Sequence, residues 1–277
     1  YRHLTIGQTL HNALTRRLEE PAESTARAVN VEPPLVAGLE RATILDTIDL
    51  TRSLDKDKYD KKLHKLQAKL YKLSRGAHEK GLSTVMVFEG WDAGGKGGII
   101  RRMIKPMDAR HYRIIPISAP TQEELRYHYL WRFWRHLPRA GHMVIFDRSW
   151  FGRVLVERVE QFATEAEWMR AYSEINGFEE MLHEHGILLL KFWLHIDPDE
   201  QLRRFREREN TPFKRYKMSD EDWRNRERWN DYELAANDMI QRTSTQYAPW
   251  HLIAGNNKRY ARIRVLKKVC KALDERL

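Results

Sequence analysis

The nine residues from Gly90 to Gly98 limit the possible folds of this chain more than any other segment. They read Gly-Trp-Asp-Ala-Gly-Gly-Lys-Gly-Gly, after the apolar run 85–88 and before a helix-like stretch that begins at Ile99. The pattern G-x-x-x-x-G-K between a strand and a helix is typical of a phosphate-binding loop. Glycines let backbone N–H groups surround phosphate oxygens, and the N-terminus of the following helix adds partial positive charge. The pattern therefore predicts an α/β fold with a phosphate site at this turn.

Within this loop, Lys96 carries the ammonium that reaches the outer phosphates. The predicted phosphate-binding residues are Gly90, Ala93, Gly94, Gly95, Lys96, Gly97 and Gly98. Gly97 departs from the common pattern, in which a Ser or Thr hydroxyl at this position helps to hold Mg²⁺. Asp92, inside the loop, could hold the metal instead. A glycine-rich turn without a ligand is the alternative, but the strand, the helix and the lysine in register favour phosphate binding.

Length, charge and cysteine content narrow the class of protein. The 277 residues are enough for one large α/β domain with appendages. A formal charge of +10 predicts a polyanionic partner, which could be nucleic acid, an anionic membrane or a phosphate-rich substrate. Cys270 is the only cysteine, so an intrachain disulfide is excluded and a reducing, cytoplasmic location is expected. There is no apolar run of about 18 residues that predicts a membrane span, and no signal peptide.

Hydrophobic periodicity predicts the order of elements along the chain. Residues 1–42 are predicted to be an N-terminal helical or linker segment, and residues 43–277 the main domain. Leucines between Leu63 and Leu73 recur at steps of three and four, which predicts an amphipathic helix. Five β-rich apolar runs follow, at 84–88, 112–117, 143–146, 187–194 and 250–253. With helical segments between them, these runs predict a doubly wound, five-stranded parallel sheet flanked by helices.

A second candidate site follows the run 143–146, which ends in Asp147 and Arg148. The carboxyl end of this strand is expected in the same crevice as the glycine loop, because ligands bind there in doubly wound sheets. A carboxylate at that place would hold Mg²⁺ on phosphates or orient the attacking group. The alternative is structural: an Asp-Arg pair at a strand end can serve only as a helix cap and an ion pair.

The segment 202–217 is strongly basic, with seven basic residues against Glu207 and Glu209. Pro212 interrupts it, and a second charged helix begins near Ser219. Two helices joined by a basic turn predict a helical lid over about 203–230, which would close over phosphates and exclude water. The alternative for most of these side chains is a solvated helix face.

A further segment combines Thr121 and Glu124, which form a capping box, with Arg and Trp residues at helical spacing, among them Arg132. The role of the latter is left open between core packing and binding of an acceptor. The twelve histidines show no spacing typical of metal ligands, so no zinc site is predicted.

Taken together, these residues resemble the family-2 polyphosphate kinases. The resemblance runs from about Thr43 to the C-terminus. The matching blocks are 88–98, 146–150, 204–208, 216–219, 248–250 and 257–260. Phe151, where the family pattern has a tyrosine, is one small departure.

The resemblance implies a P-loop kinase-like fold, similar to that of thymidylate kinases. It also implies a Mg²⁺-dependent reaction that transfers a terminal phosphoryl group between inorganic polyphosphate and a nucleotide. It implies Asp92 and Asp147 as carboxylates for the metal and the acceptor phosphate, and Lys96 as the loop lysine. Arg148 and Arg208 are implied as clamps on the transferred group. A glycine after the lysine belongs to the family pattern, so Gly97 is no defect. The basic residues predicted to bind polyphosphate or nucleotide are Arg101, Arg102, Lys105, Arg132, Arg204 and Lys217.

The Gly-Trp-Asp form of the loop is similar to that of family members that convert AMP to ADP, many of which carry two fused kinase-like domains. AMP is therefore the expected acceptor, with ADP-to-ATP conversion as the alternative. Two rival interpretations are an ATP-dependent nucleotide kinase and a non-catalytic binding module for nucleic acid. The expected partners are polyphosphate and AMP or ADP, without nucleic acid or membrane. A homo-oligomer, dimer or tetramer, is expected. Because the first residue is Tyr1 and not Met, a fused second domain in a longer protein is a further prediction.

Overall fold

A computed structural model describes residues 43–277, except for the side chains of Phe213, Lys214 and Lys217. The predicted N-terminal segment, residues 1–42, lies outside the described residues. The described part contains five strands: β1 Thr84–Gly90, β2 Tyr112–Pro116, β3 Met143–Asp147, β4 Leu188–His195 and β5 Trp250–Ala254. Each lies within two residues of its predicted bounds, because each is an apolar run between polar turns.

The five strands form one parallel sheet in the order β2-β3-β1-β4-β5. β1 is central, with Phe88 opposite Asp147 of β3 and Gly90 opposite Leu194 of β4. Six of its seven residues are buried, as expected for a parallel strand covered on both faces. The predicted doubly wound five-stranded sheet is therefore confirmed, and the carboxyl ends of β1, β3 and β4 meet at one edge.

Helices cover both faces of the sheet. The α-helices of the described residues are α1 Lys56–Glu79, α2 Lys96–Ile104, α3 Trp131–Trp134, α4 Val156–Val159, α5 Glu165–Glu184, α6 Pro198–Glu209, α7 Asp220–Glu227, α8 Trp229–Thr243 and α9 Lys258–Arg276. Short 3-10 helices lie at Leu45–Thr47, Ala109–His111, Glu124–Arg126, Trp150–Val154 and Pro212–Lys217. None of these helices is long and apolar enough to cross a membrane.

Alternating side chains of β1 divide the core into two layers. Val85 and Val87 join a cluster with α5, α8 and the 3-10 helix Trp150–Val154. Met86 and Phe88 face the other way, into a cluster with α1, α2 and α9. The period-2 alternation of a strand explains this division. The predicted leucine helix is confirmed as α1, and it packs within its own domain.

Two features differ from simple expectation. The capping box forms, since Thr121 N donates to Glu124 Oε2 at 2.8 Å, but it begins only the 3-10 turn Glu124–Arg126. The residues at helical spacing after it add one turn of α-helix, α3. In the core, Lys191 of β4 forms a fully buried ion pair with Glu179 of α5 at 2.5 Å.

Candidate active site

The turn after β1 requires glycine at its first position. Gly90 has φ +132°, and a β-carbon there would lie 2.3 Å from the carbonyl oxygen of Leu194. Gly95, with φ +106°, caps the N-terminus of α2. The loop between them thus presents its backbone to the N-terminus of α2, where N–H groups and the helix dipole favour an anion. This backbone geometry fits the phosphate-binding role that the spacing predicts, and that role stays a prediction.

Lys96 is the first residue of α2, and its side chain folds back over the loop. Its Nζ donates to the carbonyl oxygen of Gly90 at 2.6 Å. The ammonium therefore lies at the mouth of the loop, in reach of an anion bound there. A cavity of about 700 Å³ opens above it.

This cavity, which we call the phosphate cavity, contains most of the predicted site residues. Its lining includes residues 91–98 of the loop but not Gly90, together with Asp147 and Arg148 from the end of β3 and Arg208 from α6. Arg101 and Arg102 of α2 also line it. Residues from three separate parts of the sequence, the loop with α2, the end of β3 and α6, thus surround one space, and the convergence of strand ends predicts the first two.

Asp92 is held on three sides. Its Oδ1 lies 2.9 Å from Nη2 of Arg148, and its Oδ2 accepts from Nδ2 of Asn225 in α7 at 2.9 Å. Its backbone carbonyl accepts from Nε2 of Gln201 at 3.2 Å. Burial raises the pKa of Asp92, but the charges of Lys96 and Arg148 outweigh it and hold that pKa below its usual value. Asn225 and Gln201 carry no sequence signal, because single amides in charged helices are common.

Arg148, the residue directly after β3, has an unusual backbone conformation. Its φ is +66°, in the left-handed region that costs a residue with a β-carbon about 1 kcal/mol or more. Its N–H donates to the carbonyl oxygen of Phe88 at 3.1 Å. Burial lowers its pKa, but the charges of the surrounding carboxylates, of which Asp92 and Glu89 contribute most, together outweigh burial and raise the pKa. The turn aims the guanidinium back at the loop.

Asp147 and Asp92 are the carboxylates that could hold a magnesium ion. Asp147 is half-buried, and its Oδ2 lies 4.0 Å from the place of a β-carbon added at Gly97. Among the described residues no three His, Cys, Asp or Glu side chains form a closed metal site. Mg²⁺ is held by one or two carboxylates together with substrate phosphates and water. Two carboxylates beside a phosphate loop therefore fit this ion, and the remaining donors would come from substrate.

Arg204 lies beneath the loop and is only 2% exposed. Its Nη1 donates to the carbonyl oxygens of Ala93 and Gly94 at 2.9 and 3.1 Å. Its Nη2 donates to those of Gly255 and Asn256, after β5, at 2.6 and 3.0 Å. The guanidinium thus joins the back of the loop to the end of β5.

A second cavity of about 220 Å³ lies beside the loop, between α6 and α9. Its charged lining is basic apart from Glu207, and it includes Arg204, Arg208, Lys258 and Arg262. We call it the basic cavity. Arg208 and Arg262 also line the phosphate cavity, so the two spaces adjoin.

Neither Lys258 nor Arg262 is predicted from the sequence, although they stand four residues apart in the first turns of α9. Nη2 of Arg262 and Nη1 of Arg102 lie 3.6 and 3.9 Å from the place of a β-carbon at Gly98. Burial and the charge of Arg102 lower the pKa of Arg262. Two guanidiniums thus face each other at the start of α2, which favours an anion between them.

The remaining predicted residues lie elsewhere. Lys105 is exposed and lines neither cavity. Arg132 also lines neither, since its Nη2 donates to the carbonyl oxygen of Ser118 and its Nε lies 3.4 Å from Glu124. The side chain of Lys217 lies outside the described part. Substrate contacts by these three residues stay predictions.

Comparison with known proteins gives consistent matches. The family model described as polyphosphate kinase 2 matches residues 53–277. A polyphosphate:AMP phosphotransferase of Pseudomonas aeruginosa is 51% identical over 276 residues, covering 99% of this chain and 55% of that protein. ADP-polyphosphate phosphotransferase 1 of Rhizobium meliloti is 35% identical, covering 94% and 87%. The crystal structure of polyphosphate kinase 2 from Arthrobacter aurescens superposes with a TM-score of 0.80 at 34% identity, covering 83% and 84%.

The chain spans about half the length of the curated relatives that it matches at 50–57% identity. The matched part includes the whole loop, the end of β3 and both cavities.

Proposed function

The chain belongs to the polyphosphate kinase 2 family, and from this premise we propose that it transfers a phosphoryl group from inorganic polyphosphate to AMP. The family resemblance expected from the sequence is confirmed by the match over residues 53–277. AMP is the proposed acceptor because the relative named polyphosphate:AMP phosphotransferase shares 51% identity, against 35% for ADP-polyphosphate phosphotransferase 1. Conversion of ADP to ATP is the second candidate, since ADP-polyphosphate phosphotransferase 1 of Rhizobium meliloti matches 94% of the chain at 35% identity.

One observation carries the proposal: the phosphate cavity brings Lys96, Asp92, Asp147 and Arg148 together above a phosphate-binding loop. Phosphoryl transfer depends on in-line placement and neutralised charge more than on covalent help from the protein. Two carboxylates and two cations around one phosphate site meet that need. A binding module for nucleic acid has no use for the carboxylates.

The basic cavity supports polyphosphate over ATP as the donor. Its lining, within the described residues, is of arginine, lysine, glutamate, glycine, alanine and isoleucine, without an aromatic side chain. A chain of phosphates finds cations there, while an adenine ring finds no surface on which to stack. We propose that polyphosphate lies with its end on the loop and continues past Arg208, Arg262 and Lys258.

In this mechanism, a phosphate oxygen of AMP attacks the terminal phosphorus of polyphosphate, and the bond to the next bridging oxygen breaks. The loop N–H groups and Lys96 neutralise the donor phosphates, which leave with the bonding electrons. Arg148 and Arg208 bind the transferred group and the acceptor phosphate, and Arg204 keeps the loop in place from behind. When bound, Mg²⁺ would be held by Asp92 and Asp147, and it would supply charge neutralisation and orientation of the phosphates.

Several wider predictions accompany this function. The segment 203–230, which includes α7 and most of α6, would act as the lid, since Asn225 of α7 already contacts Asp92 of the loop. A single buried cysteine supports a cytoplasmic location. Homo-oligomerisation, and fusion to a second kinase-like domain, stay predictions; the greater length of the relatives supports the latter.

A donor and acceptor assay tests the function. Long-chain polyphosphate and Mg²⁺ are offered with AMP, ADP, GMP or dTMP in separate reactions, and ATP replaces polyphosphate in a parallel set. We expect ADP from AMP with polyphosphate as donor. Turnover with polyphosphate and ADP, but not with polyphosphate and AMP, would favour the second candidate. Turnover only when ATP replaces polyphosphate as the donor would contradict the proposal.

Lys96→Ala tests the site itself. We expect activity to fall at least about 1000-fold while the thermal unfolding curve stays unchanged, because the ammonium faces the cavity. Lys72→Ala, at an exposed position of α1, is the matched control with unchanged turnover. Equal turnover of the two variants would contradict the assignment of the loop.

Arg262→Gln tests the path of polyphosphate. We expect its KM for polyphosphate to rise about tenfold or more and its KM for AMP to stay within twofold, because a charge-assisted hydrogen bond to phosphate is lost. Arg264→Gln, an exposed position of the same helix, is the control. A rise in the KM for AMP alone would place the acceptor, and not the donor, in the basic cavity.

A further inference from the structure

A buried carboxylate beside the loop has no part in the mechanism above. Glu89, the penultimate residue of β1, is 5% exposed. Among the described residues it forms no ion pair; its Oε1 accepts from the hydroxyl of Ser149 at 2.8 Å. Burial raises its pKa, against the opposing charge of Lys96. Burying a carboxylate costs free energy. Because the hydroxyl of Ser149 is the hydrogen-bond partner of Glu89 among the described residues, we look for the role of Glu89 in the geometry that this bond fixes.

Ser149 stands at the turn that follows β3. It is 3% exposed, and its Oγ, while donating to Glu89, accepts from the N–H of Phe151 at 3.4 Å. It thereby caps the 3-10 helix Trp150–Val154. Ser149 is also the residue directly after Arg148, whose φ of +66° is in the left-handed region.

Phe88 and Glu89, which are neighbours near the end of β1, bind the two successive residues of this turn. The carbonyl oxygen of Phe88 accepts from the N–H of Arg148 at 3.1 Å, and the carboxylate of Glu89 accepts from Ser149. A left-handed residue with a β-carbon persists only where its surroundings hold it, and such residues concentrate at functional sites. Here the turn decides where the guanidinium of Arg148 points, and it points to Asp92 in the loop at 2.9 Å.

We propose that Glu89 is a positioning residue that acts through Ser149: it fixes the left-handed turn at Arg148 and so places the guanidinium for the acceptor phosphate. This inference rests on the proposed function, in which Arg148 binds that phosphate. Glu89 itself lines neither the phosphate cavity nor the basic cavity. Its carboxylate serves as a hydrogen-bond acceptor, so an amide oxygen at the same place can replace it, whereas an apolar side chain cannot.

The test compares Glu89→Leu, Glu89→Gln and Ser149→Ala in the full chain, with saturating polyphosphate and varied AMP. We expect kcat/KM for AMP to fall about 10- to 100-fold in Glu89→Leu and Ser149→Ala, the range that a misplaced charge-assisted hydrogen bond gives. Glu89→Gln is expected to stay within about threefold of the parent. In a second series, with saturating AMP and varied polyphosphate, the KM for polyphosphate is expected to change less than twofold in all three.

The double variant Glu89→Leu/Ser149→Ala separates action through Ser149 from an independent effect. We expect it to be no worse than the poorer single variant, because both remove one and the same hydrogen bond. Glu179→Gln, which alters another buried carboxylate, is the control for lost stability and is expected to keep the KM for AMP. Additive losses, or a loss in Glu89→Gln as large as in Glu89→Leu, would overturn the proposal.

Hydrogen exchange without substrate keeps this test independent of the activity. We expect the amides of residues 148–151 to exchange at least about tenfold faster in Glu89→Leu and Ser149→Ala than in the parent or in Glu89→Gln. If the parent lacks turnover with polyphosphate but this exchange pattern holds, the proposed function fails and the positioning of the turn stands. Unchanged exchange in an active parent would refute the positioning role alone.

Discussion

Replacing Arg204 by methionine tests whether the back of the phosphate loop depends on one buried side chain. Its guanidinium donates four hydrogen bonds at 2.6–3.1 Å to the carbonyl oxygens of Ala93, Gly94, Gly255 and Asn256, and a fifth from Nε to Oε1 of Glu200 at 2.5 Å. A net contribution of about 1 kcal/mol for each of the four bonds to carbonyl oxygens gives a loss of about 4 kcal/mol in the free energy of unfolding, before the bond to Glu200 is counted. Methionine fills much of the same volume, so little is added for a cavity.

Arg203 offers a matched control one residue away. It binds the same carboxylate, Glu200, through Nε and Nη2 at 2.7 Å each, but its side chain is 58% exposed. Exposed ion pairs contribute about 0–1 kcal/mol, so Arg203→Met is expected to change stability by less than about 1 kcal/mol. The free energy of unfolding of each variant is measured by urea titration with circular dichroism as the signal, and the comparison requires that the m-value stays constant.

The activity of Arg204→Met adds a second measurement. Without the hydrogen bonds from Arg204, the loop no longer holds its N–H groups in one arrangement. We therefore expect kcat to fall about 100-fold in protein that is still folded. Equal stability losses for Arg203→Met and Arg204→Met, or a loss below about 1 kcal/mol for the latter, would refute the reasoning. Lost polyphosphate binding with unchanged unfolding would instead make Arg204 a substrate ligand.

Three further predictions concern stability, each measured by urea unfolding. Lys191→Met leaves Glu179 buried without its cation and is expected to lower the free energy of unfolding by about 3–5 kcal/mol. The double variant Lys191→Met/Glu179→Leu should recover most of this loss, and an equal loss in the single and the double variant would contradict the reasoning. Gly141→Ala is expected to cost more than about 2 kcal/mol, because φ is +71° and the new β-carbon would lie 2.7 Å from a backbone oxygen of α1. Burial lowers the pKa of His195 and of His251 to about 4, so the unfolded chain binds more protons below pH about 6.5. Stability should therefore fall as the pH is lowered from about 6.5 towards 4, by about 2 kcal/mol for each histidine at pH 5; a flat profile would exclude these two groups as the cause.

The sheet and the loop could be predicted because their signals are local. The run 85–88 ends in a glycine pattern that only a strand–loop–helix unit satisfies, and the strand that ends at Asp147 is buried on both faces. A parallel order then brings the strand ends together, so Asp92, Lys96 and Asp147 could be placed at one cavity without coordinates.

The roles of basic side chains could not be predicted in the same way. Arg204 stands in a run of arginines, and charge alone does not show that its side chain lies beneath the loop, bonded to carbonyls more than fifty residues later. Arg262 lies in a helix whose buried residues are typical of core packing. Its place beside Arg102 depends on how α9 crosses α2, which is a matter of tertiary packing.

The bonds of Arg204 also bear on how this protein is made. The loop at 90–98 is synthesised before its back wall, which includes Leu194 of β4 and the carbonyl oxygens of Gly255 and Asn256. Because every strand pair of this sheet joins distant parts of the sequence, pairing waits for the later strands. During synthesis, the loop can therefore reach the arrangement described here only after residue 256 has emerged from the ribosome.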